Sequence, residues 1–372
     1  MAIHSSTERG SIVWCRLPIA EDNKESAALS VSSLSSIPAA AEPEVVAAGP
    51  LSREAFPAFK PRFPWLTGDL QTLRNYLLKP YWDLSLWPET PLVFDVSDGS
   101  GDRLLAKLHE PAAETRRPLA VLVHGLTGCE DSSYIRRIAL TLLQAGYPVL
   151  RLNLRSAGPG QALAQQHYHA GRSQDLRDAL NGLLAARPAY RDRGLVLVGF
   201  SLGGNVLLKC LGEGVGDFPV VAASAVSAPI DLKATQVRIM QARNGLYQRY
   251  LLRSMKAESR APAELLATLH SVYAFDDQVV APANGFAGAD DYYRQSSAKT
   301  YLGGIAVPTL VIHAEDDPWI PAAEYRAFDW AANPSLTLLL SPGGGHVGFH
   351  GRGSPVPWHD RCILPFLAAR LG

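Results

Sequence analysis

The sequence predicts an α/β fold: a mostly parallel central sheet covered by helices on both faces. Three observations predict it. From Leu119 onward, short aliphatic runs alternate with amphipathic segments, the pattern of parallel strands joined by covering helices. The alternation breaks between Asp231 and about Ile305, where helical segments occur without a clear core strand. A helical cap inserted there, after the elbow serine, is expected over the carboxyl ends of the strands, where open α/β sheets bind ligands. Finally, Gly199-Phe200-Ser201-Leu202-Gly203 carries an aliphatic run through a glycine-flanked serine into a helical run.

The elements follow in order. Leu92–Val96 and Leu104–Leu108 read as a hairpin around Asp98-Gly99-Ser100-Gly101-Asp102. Leu119–Val123 is a strand, Ser133–Ala145 a helix and Pro148–Asn153 a strand. Ser173–Ala186 is a helix, Leu195–Val198 a strand and Asn205–Leu211 a helix. Val220–Val226, Pro308–His313 and Leu336–Leu340 are the remaining strands, and Asp360–Leu371 is the closing helix. Upstream, Gly68–Leu73 begins a short helical segment. Residues 1–50 differ: from Glu21 to Pro50 the chain is rich in Ala, Ser, Glu and Pro and has no aromatic residue. Such a stretch cannot bury enough apolar surface to offset its ordering entropy, so a disordered tail or an over-long start is expected. Residues 51–372 form the folded domain, with the cap at about 231–305.

Composition narrows the function. The chain has 372 residues, and 47% are hydrophobic, enough to bury a large core. Its 35 basic and 35 acidic residues balance, so no global field would recruit nucleic acid or an anionic membrane. Cys15, Cys129, Cys210 and Cys362 are scattered without Cys-x-x-Cys spacing, which fits reduced thiols in a cytoplasmic protein. No apolar run approaches a membrane span, and no secretory signal stands at the start.

The chemistry reads from the elbow outward. A serine nucleophile needs a base, and the base needs a group to orient it. After the strand ending at His313 comes Ala314-Glu315-Asp316-Asp317-Pro318, where Asp317 is the expected orienting acid and Asp316 the second choice. After the last strand, Gly343-Gly344-Gly345-His346 places a histidine in a glycine-rich loop. His346 is the expected base, ahead of His350 outside the glycine cluster. The backbone N–H groups of Leu202 and of Leu126, in His124-Gly125-Leu126-Thr127-Gly128, are the expected oxyanion donors.

Other polar residues take plainer readings. His124 is expected to shape its turn and Cys129 to be a packed thiol. His167 and His169 read as loop hydrogen bonding and packing rather than metal ligands. Tyr247–Lys256, with Arg249, Arg253 and Lys256, reads as an amphipathic cap helix with a solvated basic face, although peripheral membrane contact is open to it.

Together these motifs resemble the YheT-like branch of the α/β-hydrolase superfamily. The resemblance rests on His124–Gly128, Leu152-Asn153-Leu154-Arg155, Tyr168-His169-Ala170-Gly171, Gly199–Asn205, Phe275-Asp276-Asp277, Gly285-Phe286, Asp291-Tyr292-Tyr293-Arg294, Ala314–Pro318, Gly345–Phe349 and Gln71-Thr72. It covers about residues 55–372. It implies the α/β-hydrolase fold and a serine-dependent hydrolase of carboxylic esters, short- to medium-chain or lipid, with Ser201, Asp317 and His346 as triad. One departure is Ser156 after Arg155, where the branch usually has glycine. No metal or cofactor is expected, and the expected partner is a small-molecule or lipid ester. Acyl transfer to an alcohol is the alternative, and a non-catalytic binding protein on the same scaffold ranks last.

Overall fold

The computed structural model describes residues 44–47, 55–113 and 115–371. Among the described residues nine strands form one sheet: β1 (Glu44–Ala47), β2 (Glu89–Asp95), β3 (Arg103–His109), β4 (Leu119–Val123), β5 (Val149–Leu152), β6 (Leu195–Phe200), β7 (Val220–Val226), β8 (Thr309–Ala314) and β9 (Leu336–Ser341). Their order is β1-β9-β8-β7-β6-β4-β5-β3-β2. The run from β5 through β4, β6, β7 and β8 to β9 is parallel, while β2, β3 and β1 pair antiparallel at the two edges.

Strand periodicity sorts the core into two faces. Leu119, Val121 and Val123 of β4, with Leu195 and Leu197 of β6, join one buried cluster with the helices Ser173–Ala186 and Leu202–Gly212. The alternate residues Ala120, Leu122, Val196 and Val198 join a second cluster with the helices Ser133–Gln144 and Trp358–Leu371. Both faces are covered, which is why these strands are apolar throughout rather than alternating. Each fully buried Leu or Val contributes about 1.5–3 kcal/mol.

Expected and observed elements agree closely, the boundaries moving by a few residues. One strand was not expected. Glu44–Ala47 lies inside the segment read as a tail, yet it pairs antiparallel with β9 from Glu44–Leu340 to Ala47–Thr337. Its Val45-Val46 doublet suits an edge strand, but four residues amid Ala and Ser leave too little pattern to recognise. The rest of the expected tail, Cys15 included, lies outside the described residues.

After β4 the chain adds β5 on one side of it and β6 on the other. This reversal brings the loops after β4 and β6 together at the sheet's carboxyl edge. Between β7 and β8 the described chain is helical, including Leu232–Ile239, Gly245–Glu258 and Ala289–Ser296. This insertion has its own apolar cluster of Ile239, Leu251, Leu252, Met255, Leu269, Val272 and Phe275. Leu126 and Trp319, from loops at the carboxyl edge, pack against it.

Candidate active site

Ser201 stands between β6 and the helix Leu202–Gly212 with φ 51° and ψ −124°. A positive φ at a non-glycine residue costs about 1–3 kcal/mol. Neighbouring backbone bonds hold it there: Ser201 N–H donates to the Val226 carbonyl at 2.9 Å, and Asn205 N–H donates to the Ser201 carbonyl at 3.1 Å. The flanking glycines are required by close approach. A Cβ on Gly199 would lie 2.6 Å from the Gly203 carbonyl oxygen, and one on Gly203 would run into the His124 carbonyl.

The loop after β9 carries His346 over the elbow. Its Nε2 lies 2.9 Å from Ser201 Oγ, and its Nδ1 lies 2.8 Å from Asp317 Oδ2. The carboxylate fixes the proton on Nδ1 and leaves Nε2 free to accept from the serine hydroxyl. The other Asp317 oxygen accepts the N–H groups of Trp319 at 2.8 Å and Ile320 at 3.0 Å. Burial raises the Asp317 carboxyl, but the facing His346 ring, its hydrogen bond and His313 together hold it below the ordinary carboxylate value.

Asp316, the second choice for the acid, makes a different contact. Its Oδ1 accepts the Gly345 N–H at 2.8 Å, anchoring the histidine loop, and burial raises its pKa to about 6. The structure therefore brings Ser201, His346 and Asp317 together and leaves Asp316 outside that chain of contacts. His350 does not reach Ser201. Burial first, and then the charge of Arg74, hold its imidazole well below the ordinary histidine range.

Gly125 approaches the elbow so closely that a Cβ there would lie 2.8 Å from Ser201 Cβ. The Gly125 N–H donates to Tyr134 Oη at 2.8 Å, and the Thr127 N–H donates to Tyr168 Oη at 2.6 Å. Leu126 N–H, between them, has no partner among the described residues. It and the Leu202 N–H at the helix start are the donors expected to face a developing oxyanion. His124 shapes this turn: Nδ1 lies 2.8 Å from the Gly125 carbonyl, and Nε2 accepts the Leu154 N–H at 3.0 Å. Burial lowers its pKa to about 4 and keeps it neutral.

The insertion meets the loop that follows β8. The Trp319 ring stacks on His346 with centroids 4.4 Å apart, and Tyr247 meets Trp319 edge-on at 5.6 Å. Buried Asn244 donates to the Pro318 carbonyl at 2.8 Å, tying the insertion to the loop that carries Asp317. His169 packs edge-on against Phe286 and Tyr292, while His167 Nδ1 lies 3.1 Å from the Tyr168 carbonyl. Among the described residues no group of three or more His, Cys, Asp or Glu side chains could hold a metal ion, and no helix is long and apolar enough to cross a membrane.

Sequence reasoning missed three supports. Thr72 Oγ1 accepts the His346 N–H at 2.8 Å, a contact across 274 residues. In the sequence, Gln71-Thr72 stands out only through the family resemblance. Asn205 bridges three backbone groups of distant segments. His313, on β8 beside Asp317, is buried and stacked on Tyr325 at 4.0 Å. Thr72 and Asn205 fall within motifs of the family resemblance, but no local pattern shows what any of the three touches.

An elbow serine at positive φ on a sheet of this order, met by a histidine and an acid from the loops after β9 and β8, defines an α/β-hydrolase. The comparisons agree. Residues 120–356 match the alpha/beta hydrolase family. The putative esterase YheT of Escherichia coli is 34% identical over 316 residues, covering 80% of this chain and 87% of its own. A monoacylglycerol lipase of Saccharomyces cerevisiae is 27% identical, covering 68% of this chain and 60% of its own. The solved esterase Pf2001 of Pyrococcus furiosus shares the fold, with TM-score 0.55 and 19% identity over 79% of this chain and 98% of its own. The chain belongs to the alpha/beta hydrolase family, in its YheT-like branch.

Proposed function

We propose that the protein is a serine-dependent hydrolase of carboxylic esters working through an acyl-enzyme. Ser201 attacks the acyl carbonyl while His346 Nε2 takes its proton. Asp317 holds the imidazole tautomer and stabilises the imidazolium that forms. The N–H groups of Leu126 and Leu202 stabilise the oxyanion, a contribution of about 2.7–4 kcal/mol for one such donor. His346 then returns the proton to the leaving alcohol, and water activated by the same ring releases the acid. The observation that carries this reading is the pair of contacts on one imidazole, 2.9 Å to Ser201 and 2.8 Å to Asp317. The esterase and lipase names of the relatives point the same way.

The 231–305 insertion is the cap that selects the ester. Trp319 and Tyr247 give it an aromatic ceiling over His346, suited to an apolar acyl chain. The test is labelling by a fluorophosphonate probe together with hydrolysis of p-nitrophenyl esters of increasing chain length. Ser201→Ala should lose both labelling and turnover. Labelling retained by that variant would sink the assignment.

A further inference from the structure

Beside the His346 loop lies a small cavity of about 10 Å3, room for one particle of about water size. Val347 and His350 line it from the loop, Arg74 from the helix Gly68–Leu78, Ser133 and Arg137 from the helix Ser133–Gln144, and His359 from the closing helix. Arg74 Nε, Ser133 Oγ, Arg137 Nε, His350 Nε2 and His359 Nε2 are all buried and have no hydrogen-bond partner among the described residues. Arg137, His350 and His359 are themselves 7%, 5% and 1% exposed. So many unsatisfied polar atoms around one cavity are unusual in a folded protein, because each costs about 1–3 kcal/mol.

The donor chemistry sets what fits. A guanidinium N–H can only donate, so whatever sits between Arg74 and Arg137 must accept from both. The charge is also unbalanced. Arg137 Nε has Asp360 Oδ2 at 3.9 Å. Arg74 has no carboxylate within 4 Å among the described residues, and burial and the charge of Arg62 both press its pKa down. Arg74 is part-buried, and a neutral water would bring it no countercharge.

We propose that this cavity binds one small monovalent inorganic anion of halide size, held by Arg74, Arg137 and Ser133. The ion accepts all three donors and cancels the Arg74 charge. It also bridges four segments of the chain: the His346–His350 loop, the helix Gly68–Leu78, the helix Ser133–Gln144 and the closing helix. Two of them, the helix Gly68–Leu78 and the His346–His350 loop, carry the Thr72 contact to His346. Halide is therefore a structural ligand that steadies the loop bearing His346.

The full chain is melted in sodium chloride, sodium bromide and sodium gluconate at one ionic strength, with halide titrated to about 0.2 M. A saturable, halide-specific rise in Tm of about 2 °C or more is expected. Crystals grown in bromide should show an anomalous peak between Arg74 and Arg137. Arg74→Gln should abolish the halide response. If that variant does not fold, Ser133→Ala removes one donor at constant charge and should raise the halide midpoint at least threefold. Equal Tm in the three salts, an unmoved Ser133→Ala midpoint, or a water without anomalous signal at that position overturns the proposal in favour of a buried water only. An anomalous peak without any Tm response means binding at crystal concentration only and overturns it as well.

Discussion

The Thr72 hydroxyl accepts the backbone N–H of His346 at 2.8 Å while donating to the Gly68 carbonyl at 2.7 Å. Beside it, Gln71 Oε1 accepts the His350 N–H at 2.6 Å, and its amide donates to the Trp65 carbonyl at 2.5 Å. A Cβ on Gly348 would lie 2.6 Å from the Gln71 carbonyl oxygen. The loop that carries the proposed base is thus hung on the helix Gly68–Leu78, in addition to growing from β9. A shift of about an ångström in such a group can cost on the order of 100-fold in rate.

Thr72→Val keeps the shape and removes the acceptor, leaving a part-buried N–H unpaired at about 1–3 kcal/mol. It should lower kcat for p-nitrophenyl butyrate by about tenfold with little change in KM, since Thr72 acts on the loop that carries His346. Thr72→Ser should restore most of the loss. Wild-type kcat in the valine variant would show that the loop holds itself.

Asp316 and Asp317 are adjacent, and substitution separates their roles. Asp317→Asn keeps the shape but offers the wrong hydrogen-bonding groups to His346 Nδ1 and removes the charge facing an imidazolium. Loss of kcat on the order of 10⁴-fold is expected, as for the orienting acid of other triads. Asp316→Asn still presents an oxygen to the Gly345 N–H and should keep kcat within a few-fold. If the two variants exchange these outcomes, the acid has been misassigned.

Asp316 also leaves a signature in stability against pH. Burial raises its carboxyl from the ordinary 3.8 to about 6 in the folded chain. Between about pH 4 and pH 6 the unfolded chain has released this proton and the folded chain still holds it. The folded state binds more protons there, so stability falls as pH rises through the window, by up to about 3 kcal/mol. Asp276, raised by burial to about 7 against the Tyr293 hydroxyl at 2.6 Å, acts in the same direction to a higher pH. Asp316→Asn should therefore match the parent at pH 4 and exceed it above pH 6, with a residual slope to about pH 7 from Asp276. Urea unfolding at pH 4, 6 and 8 measures this, and a variant no more stable than the parent at pH 8 would remove Asp316 as the cause.

What the sequence made legible was local. The elbow reads from seven consecutive residues because strand, turn and helix each leave their own period there. The acid and histidine read because each follows an aliphatic strand run at a turn. The supports that aim these groups are not legible, since Thr72 and Asn205 act on segments scores of residues away through backbone atoms that every residue possesses. Ser156 lies between the two cases. It stands where the branch usually has glycine, which brings the loop shape into question, and it adopts φ 62° all the same. Beside it Arg155 is locked to Asp175 by hydrogen bonds of 2.9 and 2.5 Å.

Asn205, one turn after Ser201, gives the sharpest test of how the elbow is tied to the insertion. Its Nδ2 donates to the carbonyls of Ala170 at 3.0 Å and Ser296 at 2.8 Å, and its Oδ1 accepts the Ala298 N–H at 2.9 Å. The residue is fully buried, so no solvent can replace these bonds. Asn205→Leu fills the same space and leaves three backbone groups unpaired, a loss of about 3 kcal/mol or more, or roughly 6 °C in Tm. Asn205→Asp keeps the acceptor for Ala298 but sets a carboxylate against two carbonyl oxygens, so it should lose at least as much despite being nearly isosteric. Amide hydrogen exchange should quicken first around 289–300 and around 168–172 in both variants, ahead of the β6 strand amides. If exchange rises uniformly across the sheet instead, Asn205 stabilises the whole core, and the insertion is held on by its apolar contacts with Leu126 and Trp319.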